Sequence, residues 1–451
     1  MQIITELLDV LSGQFSATNL QHFAIIIDSI LGISNSVTTL SVARYSSLSH
    51  RTVQRFYALK DVNWLLVNLF LFKHFIYKKG KNYLFAADET VKGKAGKKTH
   101  GLGRFYSSMA KQVIRSVSFL AISIVDIEKE ESYILGCKQL IVNNLTKVNN
   151  DKEPKSKSKK KLKAKPKTKS KGRPKGSKNK IKTEPESTSY QVLKTLLDLV
   201  QSQLKVFLPE LNCFHLVLDG FYGHEDYLLL ATKNGLNIIS KFKVNAHLIL
   251  PYQGEQSGIG RPKTLGDRVN LDNLDEKFYI SSIQDKDSNV STKVYQFEAF
   301  TPKMAGLKLN VVVMIHTHQV TKQVSRNIIF TNDLTLDALK VIKYYSLRFQ
   351  IEFDFRDAKQ FYGLADFKNY KETQVTNAVN IAFTMTVIGK LVLEKYKLKL
   401  DCPNMGIIDL KTVFRTQKCA EILLNNINLD SDEFLSSSQF LKIARLEAIH
   451  I

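Results

Sequence analysis

From about Lys147 to Ser189 the chain holds the run KEPKSKSKKKLKAKPKTKSKGRPKGSKNKIK and has almost no large apolar residue. Such a segment cannot bury a core and is expected to be disordered when free. Between Asp151 and Glu186 there are 16 Lys and Arg against 4 acidic residues, a net +12, which is about half of the +23 carried by all 451 residues. Whatever packs must therefore be built from the sequence on either side of this insert.

The rest of the chain has the means to pack. Hydrophobic residues make up 44%, and 26 Phe with 17 Tyr imply large cores rather than a small basic ribosomal protein. An excess of +23 repels itself unless a polyanion neutralises it, so nucleic acid is the first expected partner. A membrane is not expected, because the apolar run from Trp64 to Tyr77 is interrupted by Lys73 and His74 and is too short to span a bilayer. Glu6 and Asp9 stand where a signal peptide would be basic. Cys137, Cys213, Cys402 and Cys419 form no CxxC pair, so a reducing, cytoplasmic setting is expected, without disulfides or a zinc ribbon. His316 and His318 read as one face of a strand rather than a metal pair.

Periodicity divides the chain. Residues 1–78 have helical spacing, and within them SVARYSSLSHRTVQRFYALK reads as helix, Ser-rich turn and helix. That pattern fits a helix-turn-helix whose second helix starts near Ser49 and presents Arg51, Gln54 and Arg55 to DNA; an ordinary helical bundle with a basic face fits equally well. Three strands follow, in NYLFAADET, VIRSVSFLAISIVDI and SYILGCKQLIVNNL. Inside the Lys-rich insert, Gly172-Arg173-Pro174-Lys175 is similar to an AT-hook core that lays Arg173 into the minor groove, beside the plainer reading of a polycation on phosphates. The second such tetrapeptide, Gly260 to Lys263, reads as a turn. An amphipathic helix, a strand ending on Asp219, a helix closed by Gly235 and another strand come next. Residues 244–333 are mainly β, a long helix is expected from Leu334 to Tyr362, and 366–451 form a helical tail.

Near the C-terminus, Tyr345, Arg348, Glu352 and Lys359 stand at offsets 0, 3, 7 and 14, which at about 100° per residue share one arc of a helix. A core seam would carry Leu or Ile there. A carboxylate between cations and a phenol suits a metal ion and a phosphodiester, the alternative being a solvated charged face. Asp354 and Asp357 are rotated off this arc. Two further carboxylates sit at strand ends. Asp88 and Glu89 alternate faces, so only one can meet the helix, and Asp219 follows the apolar LVL before Gly220. Each alone reads as an ordinary turn residue. Lys92, Lys94, Lys97, Lys98 and Arg104 flank glycines after Asp88 and would track a DNA backbone; the spacing is not that of a Walker loop.

Together these residues resemble the Tyr-Arg-Glu-Lys signature of bacterial insertion-sequence transposases with a DDE active site, the insertion-sequence-four family. The resemblance includes the DET around Asp88, HGLGRFYSS after it and LDGFYGHEDYL around Asp219, and extends over about residues 80 to 365. It implies an α/β, ribonuclease-H-like catalytic domain over 79–365 with a β-rich insertion, preceded by a helical DNA-binding domain and followed by the helical tail. It implies that Asp88, Asp219 and Glu352 hold two Mg²⁺ or Mn²⁺ ions, roughly 4 Å apart in such sites. Tyr345, Arg348 and Lys359 would position phosphates of the element's end. The substrate would be double-stranded DNA, the terminal inverted repeats and a target, held by a homodimer in a synaptic complex. Some members stack a flipped base on a Trp of the insertion, whereas the only Trp here, Trp64, lies outside it. A DNA-binding protein that keeps the fold without catalysis is the alternative from another class, and a structure-specific nuclease is a third.

Overall fold

The computed structural model describes residues 2–141, 188–426 and Phe440, apart from Met109, Ser257, Ile259, residues 286–288 and Ala305. Arg173 and the AT-hook-like core lie outside the described residues, as does the Lys-rich insert except for Thr188 and Ser189, which open a helix.

The N-terminal region is helical: α1 (Gln2–Leu8), α2 (Ala17–Gly32), α3 (Thr39–Arg44), α4 (His50–Tyr57) and α5 (Trp64–Leu71), the last running into a π-turn. Side chains of Ser16, Thr38 and Ser49 accept from backbone N–H groups at the starts of α2, α3 and α4, satisfying donors that a helix start leaves free. Four strands follow, β1 (Asn82–Gly93), β2 (Gly103–Ser107), β3 (Gln112–Asp126) and β4 (Glu131–Leu140). Then come α6 (Thr188–Phe207), β5 (Asn212–Leu218), α7 (Glu225–Lys233) and β6 (Asn237–Phe242). The β-rich stretch supplies β7 (Ile249–Pro251), β8 (Leu265–Arg268), β9 (Tyr279–Asp285), β10 (Val290–Ala299), β11 (Leu309–His318) and β12 (Val324–Thr331). Four helices close the order: α8 (Ala338–Leu347), α9 (Phe349–Phe361), α10 (Glu372–Leu400) and α11 (Ile407–Asn426).

One mixed sheet of ten strands organises these elements, in the order β2-β3-β1-β5-β6-β12-β11-β10-β9 with β4 paired to β3. The first strands are antiparallel, while β1, β5 and β6 run parallel. Parallel neighbours need a crossover, which α6 and α7 provide. Strands β9 to β12 continue the same sheet, because β12 pairs antiparallel with β6. The four apolar segments KFYISSI, KVYQFEAF, LKLNVVVMIHT and RNIIFTND are all strands, and the short pair β7-β8 forms a separate ribbon.

One strand was not foreseen and one expectation needs correction. The stretch HGLGRFYSS, Gly-rich and basic, contains β2, which pairs with the start of β3. The long helix expected from Leu334 to Tyr362 starts at Ala338, capped by Asp337, and divides at Arg348, where backbone bonds tighten to i+3 spacing. Arg348 keeps helical dihedrals, so the four signature residues still share an arc.

The helices before and after the sheet pack together. Trp64 Nε1 donates to Asn377 Oδ1 on α10 (2.9 Å), and Asn377 Nδ2 donates to the carbonyls of Tyr57 and Leu59 (2.9 and 2.8 Å). Lys411 Nζ on α11 donates to the Ile30 carbonyl of α2 (2.7 Å). Helix α10 is long and apolar enough to cross a membrane, yet 83% of its apolar window is buried inside the protein, so it packs as a core helix.

Candidate active site

Strand alternation decides which residues of β1 meet α9. Asp354, on the inner side of α9, is fully buried and takes Lys390 Nζ at 2.6 Å and the hydroxyl of Ser132 on β4. Lys390 Nζ also donates to the Ser132 carbonyl at 2.6 Å, so one buried cluster pins α9 to the sheet and to α10. Ser132 stands in register with Val125 and through it with Leu84, which puts the even-numbered side chains of β1 on the α9 face. Asp88 is among them. Glu89 points to the other face, where its Oε1 accepts from Ser189 Oγ (2.7 Å) and from the Tyr222 hydroxyl (3.1 Å).

Arg348 joins the acids. Its Nη1 lies 2.9 Å from Asp88 Oδ2 and its Nη2 lies 2.8 Å from Glu352 Oε1. The residue is only 5% exposed, its Nε has no partner, and its guanidinium lies 4.6 Å from the Phe349 ring centroid. Asp88 Oδ1 also accepts the backbone N–H of Glu89 (2.8 Å). Burial pushes the Asp88 carboxyl up to about 6, helped by repulsion from Glu352 and Asp219 and opposed by Arg348. Burial raises the Tyr345 hydroxyl as well, with Arg348 opposing and Asp219 and Asp88 adding to the shift.

Asp219 follows β5 in an extended conformation; its backbone carbonyl accepts from Ser240 Oγ and Tyr222 N, both at 2.9 Å. Its carboxylate makes no hydrogen bond or ion pair among the described residues. Gly220 and Gly223 are needed at this turn, since a Cβ on either would meet the Lys241 carbonyl at 3.1 or 3.0 Å. The three carboxylates and Arg348 thus interact electrostatically as one group.

A divalent cation fits this donor set. The ligands would all be carboxylate oxygens, which suit Mg²⁺ or Mn²⁺. Asp219 leaves its carboxylate oxygens without a partner among the described residues, and Asp88 is raised chiefly by burial, with repulsion from Glu352 and Asp219 adding to it. Among the described residues no three acidic, His or Cys side chains converge as a ready ion cage, and Arg348 stands between two of the carboxylates.

The remaining expected residues fall in two groups. Lys359 is on the last turn of α9, half-buried; burial and nearby Lys92 lower its pKa. Lys97 and Lys98 are exposed on the loop after β1, which is held by His100 N donating to the Tyr370 carbonyl (2.8 Å). Arg104 on β2 is exposed and directly opposite Arg115 on β3. Arg115 was not singled out from sequence, because only the hairpin register reveals the pair. Apart from these, Arg51, Gln54 and Arg55 are exposed together on α4, whose other face buries Val53, Phe56 and Tyr57. Both ring nitrogens of His316 are engaged within the sheet, with Thr292 and Asn327.

A mixed sheet carries two strand acids, and a helical Glu meets the first of them through a shared Arg, which agrees with a transposase-like nuclease. The protein belongs to the DDE superfamily endonuclease family, whose model matches residues 10–277. That span contains Asp88 and Asp219 and ends before Glu352, which the fold brings back to β1. No curated protein matches the chain.

Proposed function

We propose that the protein is a DNA transposase of the insertion-sequence-four family that cuts DNA at the ends of its own element and joins the freed 3′ ends to a target. The observation that carries this reading is the double ion pair of Arg348 with Asp88 and Glu352, which sets the Tyr-Arg-Glu-Lys face of α8 and α9 against the first strand acid. Asp88, Asp219 and Glu352 would hold the divalent ions. Bound there, the ions would activate water or a 3′-hydroxyl and stabilise the leaving oxygen.

Arg348 has two roles available. Without DNA it neutralises Asp88 and Glu352. With a phosphodiester in the site, its fork can turn to the phosphate, while the Tyr345 hydroxyl supplies one oriented hydrogen bond and Lys359, farther along α9, a point charge on the same strand. Arg104, Lys97 and Lys98 would follow the backbone away from the cut, and Arg51, Gln54 and Arg55 would contact the terminal repeat. Two copies would pair two ends before strand transfer.

The test is strand cleavage on DNA carrying the sequences that flank the gene, with Mg²⁺ or Mn²⁺, comparing wild type with Glu352→Gln. Metal-dependent nicks at the element's boundary, lost in the variant, support the reading. Binding without cleavage by wild type under both metals contradicts it.

A further inference from the structure

The α9 face of β1 continues past Asp88 to Thr90 and Lys92. Thr90 is 4% exposed and its hydroxyl has no hydrogen-bond partner among the described residues, an arrangement that is destabilising unless a ligand satisfies the group. Lys92 makes no hydrogen bond or ion pair among the described residues, and neither does Lys359. The next residue on this face, Lys94, is committed: its Nζ donates to the Phe367 carbonyl at 2.7 Å and lies 3.1 Å from the Phe367 ring centroid.

Helix α9 keeps pace with this row. Asp88 to Lys92 spans about 13 Å of strand, and Glu352 to Lys359 about 10 Å of helix, so a helix lying along the strand with Glu352 at Asp88 brings Lys359 to Lys92. Electrostatics agree, since Lys92 is the charge that helps depress Lys359. Two unpaired ammonium groups held near each other over a buried, unsatisfied hydroxyl leave one kind of ligand missing, an anion rich in acceptor oxygens.

We propose that Thr90, Lys92 and Lys359 form a second phosphate pocket, which grips a phosphodiester neighbouring the one at the acidic site and so fixes the register of the strand to be cut. The pocket rests on the proposed DNA substrate. Lys92 and Lys359 supply the charge and Thr90 an O–H donor that no protein acceptor takes. Thr90 and Lys92 are positioning residues, remote from the reacting atoms. A phosphate seated there would let the two lysines stay charged side by side.

A methylphosphonate scan tests the pocket. Duplexes carrying the gene's flanking DNA, each with one phosphate made neutral, are titrated with full-length protein in Ca²⁺. One position should weaken wild-type binding about tenfold, the size of one charged hydrogen-bonded contact, and weaken Lys92→Gln clearly less, because one of the charges on that phosphate is already gone. Thr90→Val should lose a few-fold on unmodified DNA, and Lys92→Arg should restore the wild-type profile. Melting temperatures of Lys92→Gln and wild type should agree, since Lys92 has no bond to lose. Identical scans for wild type and Lys92→Gln would overturn the pocket. Cleavage in Mn²⁺ is read on the same unmodified duplexes: cleavage with identical scans overturns the pocket alone, whereas no cleavage with a Lys92-dependent position supports the pocket and counts against the transposase reading.

Discussion

The Arg348 guanidinium lies 2.9 Å from Asp88 Oδ2, joining residues 260 positions apart. Its other Nη reaches Glu352 at 2.8 Å, so one side chain neutralises two of the three acids. Arg348→Gln leaves both carboxylates facing each other. The expected loss is about 2 kcal/mol, below the 3–5 kcal/mol of a fully buried broken pair because the Glu352 side chain is 43% exposed. Urea unfolding would measure it, and added Mn²⁺ should restore more stability to this variant than to wild type.

Asp88 gives the protein a pH dependence. Its folded pKa, pushed up to about 6, lies above the ordinary 3.8, so the folded state holds this proton more tightly than the unfolded chain. The stabilising contribution is complete below about pH 4 and is lost as pH rises through about 6. Asp88→Asn should therefore be more stable than wild type at pH 8, by on the order of 3 kcal/mol, with the difference gone at pH 4. Metal binding has the opposite dependence: Mn²⁺ affinity should fall about tenfold per pH unit below 6, because the ion needs the ionised carboxylate.

Behind the site, Asp354 and Lys390 form a pair with the carboxylate fully buried. Lys390→Met strands that charge and should cost about 3–5 kcal/mol. The double variant Asp354→Leu, Lys390→Met should recover most of the loss. A four-protein denaturation cycle measures the coupling.

Arg104 and Arg115 face each other across the β2-β3 hairpin, with no acidic partner among the described residues. Like charges directly opposite destabilise a strand pair. Replacing either with Gln should stabilise the free protein by about 0.2–1 kcal/mol, while lowering the slope of log K against log salt for DNA by about 1. Fluorescence anisotropy at several salt concentrations reads the slope.

Much of the site was legible where chemistry and periodicity coincide. The offsets of Tyr345, Arg348, Glu352 and Lys359 give a shared arc whatever packs around it, and alternation alone separates Asp88 from Glu89. Asp354 lies off that arc, and its rotation carries it into the core with Lys390. What stayed hidden depends on register and long-range packing. The Arg348 bridge spans 260 residues, the Arg104–Arg115 pair exists only through one hairpin alignment, and Thr90 has no sequence mark of an unsatisfied hydroxyl. The break at Arg348 is equally silent, because no Gly or Pro marks it. The β-rich stretch was visible as strands, but its continuation of the main sheet rests on the β12-β6 pairing.

The most direct test of the account is Mn²⁺ binding, followed by the loss of its free paramagnetic resonance signal, in wild type, Asp88→Asn, Asp219→Asn and Glu352→Gln with end DNA present. One shared centre for the divalent ions, built by the three carboxylates, predicts that each variant loses at least tenfold in affinity while still binding DNA. Equal Mn²⁺ binding by all four proteins would contradict the account.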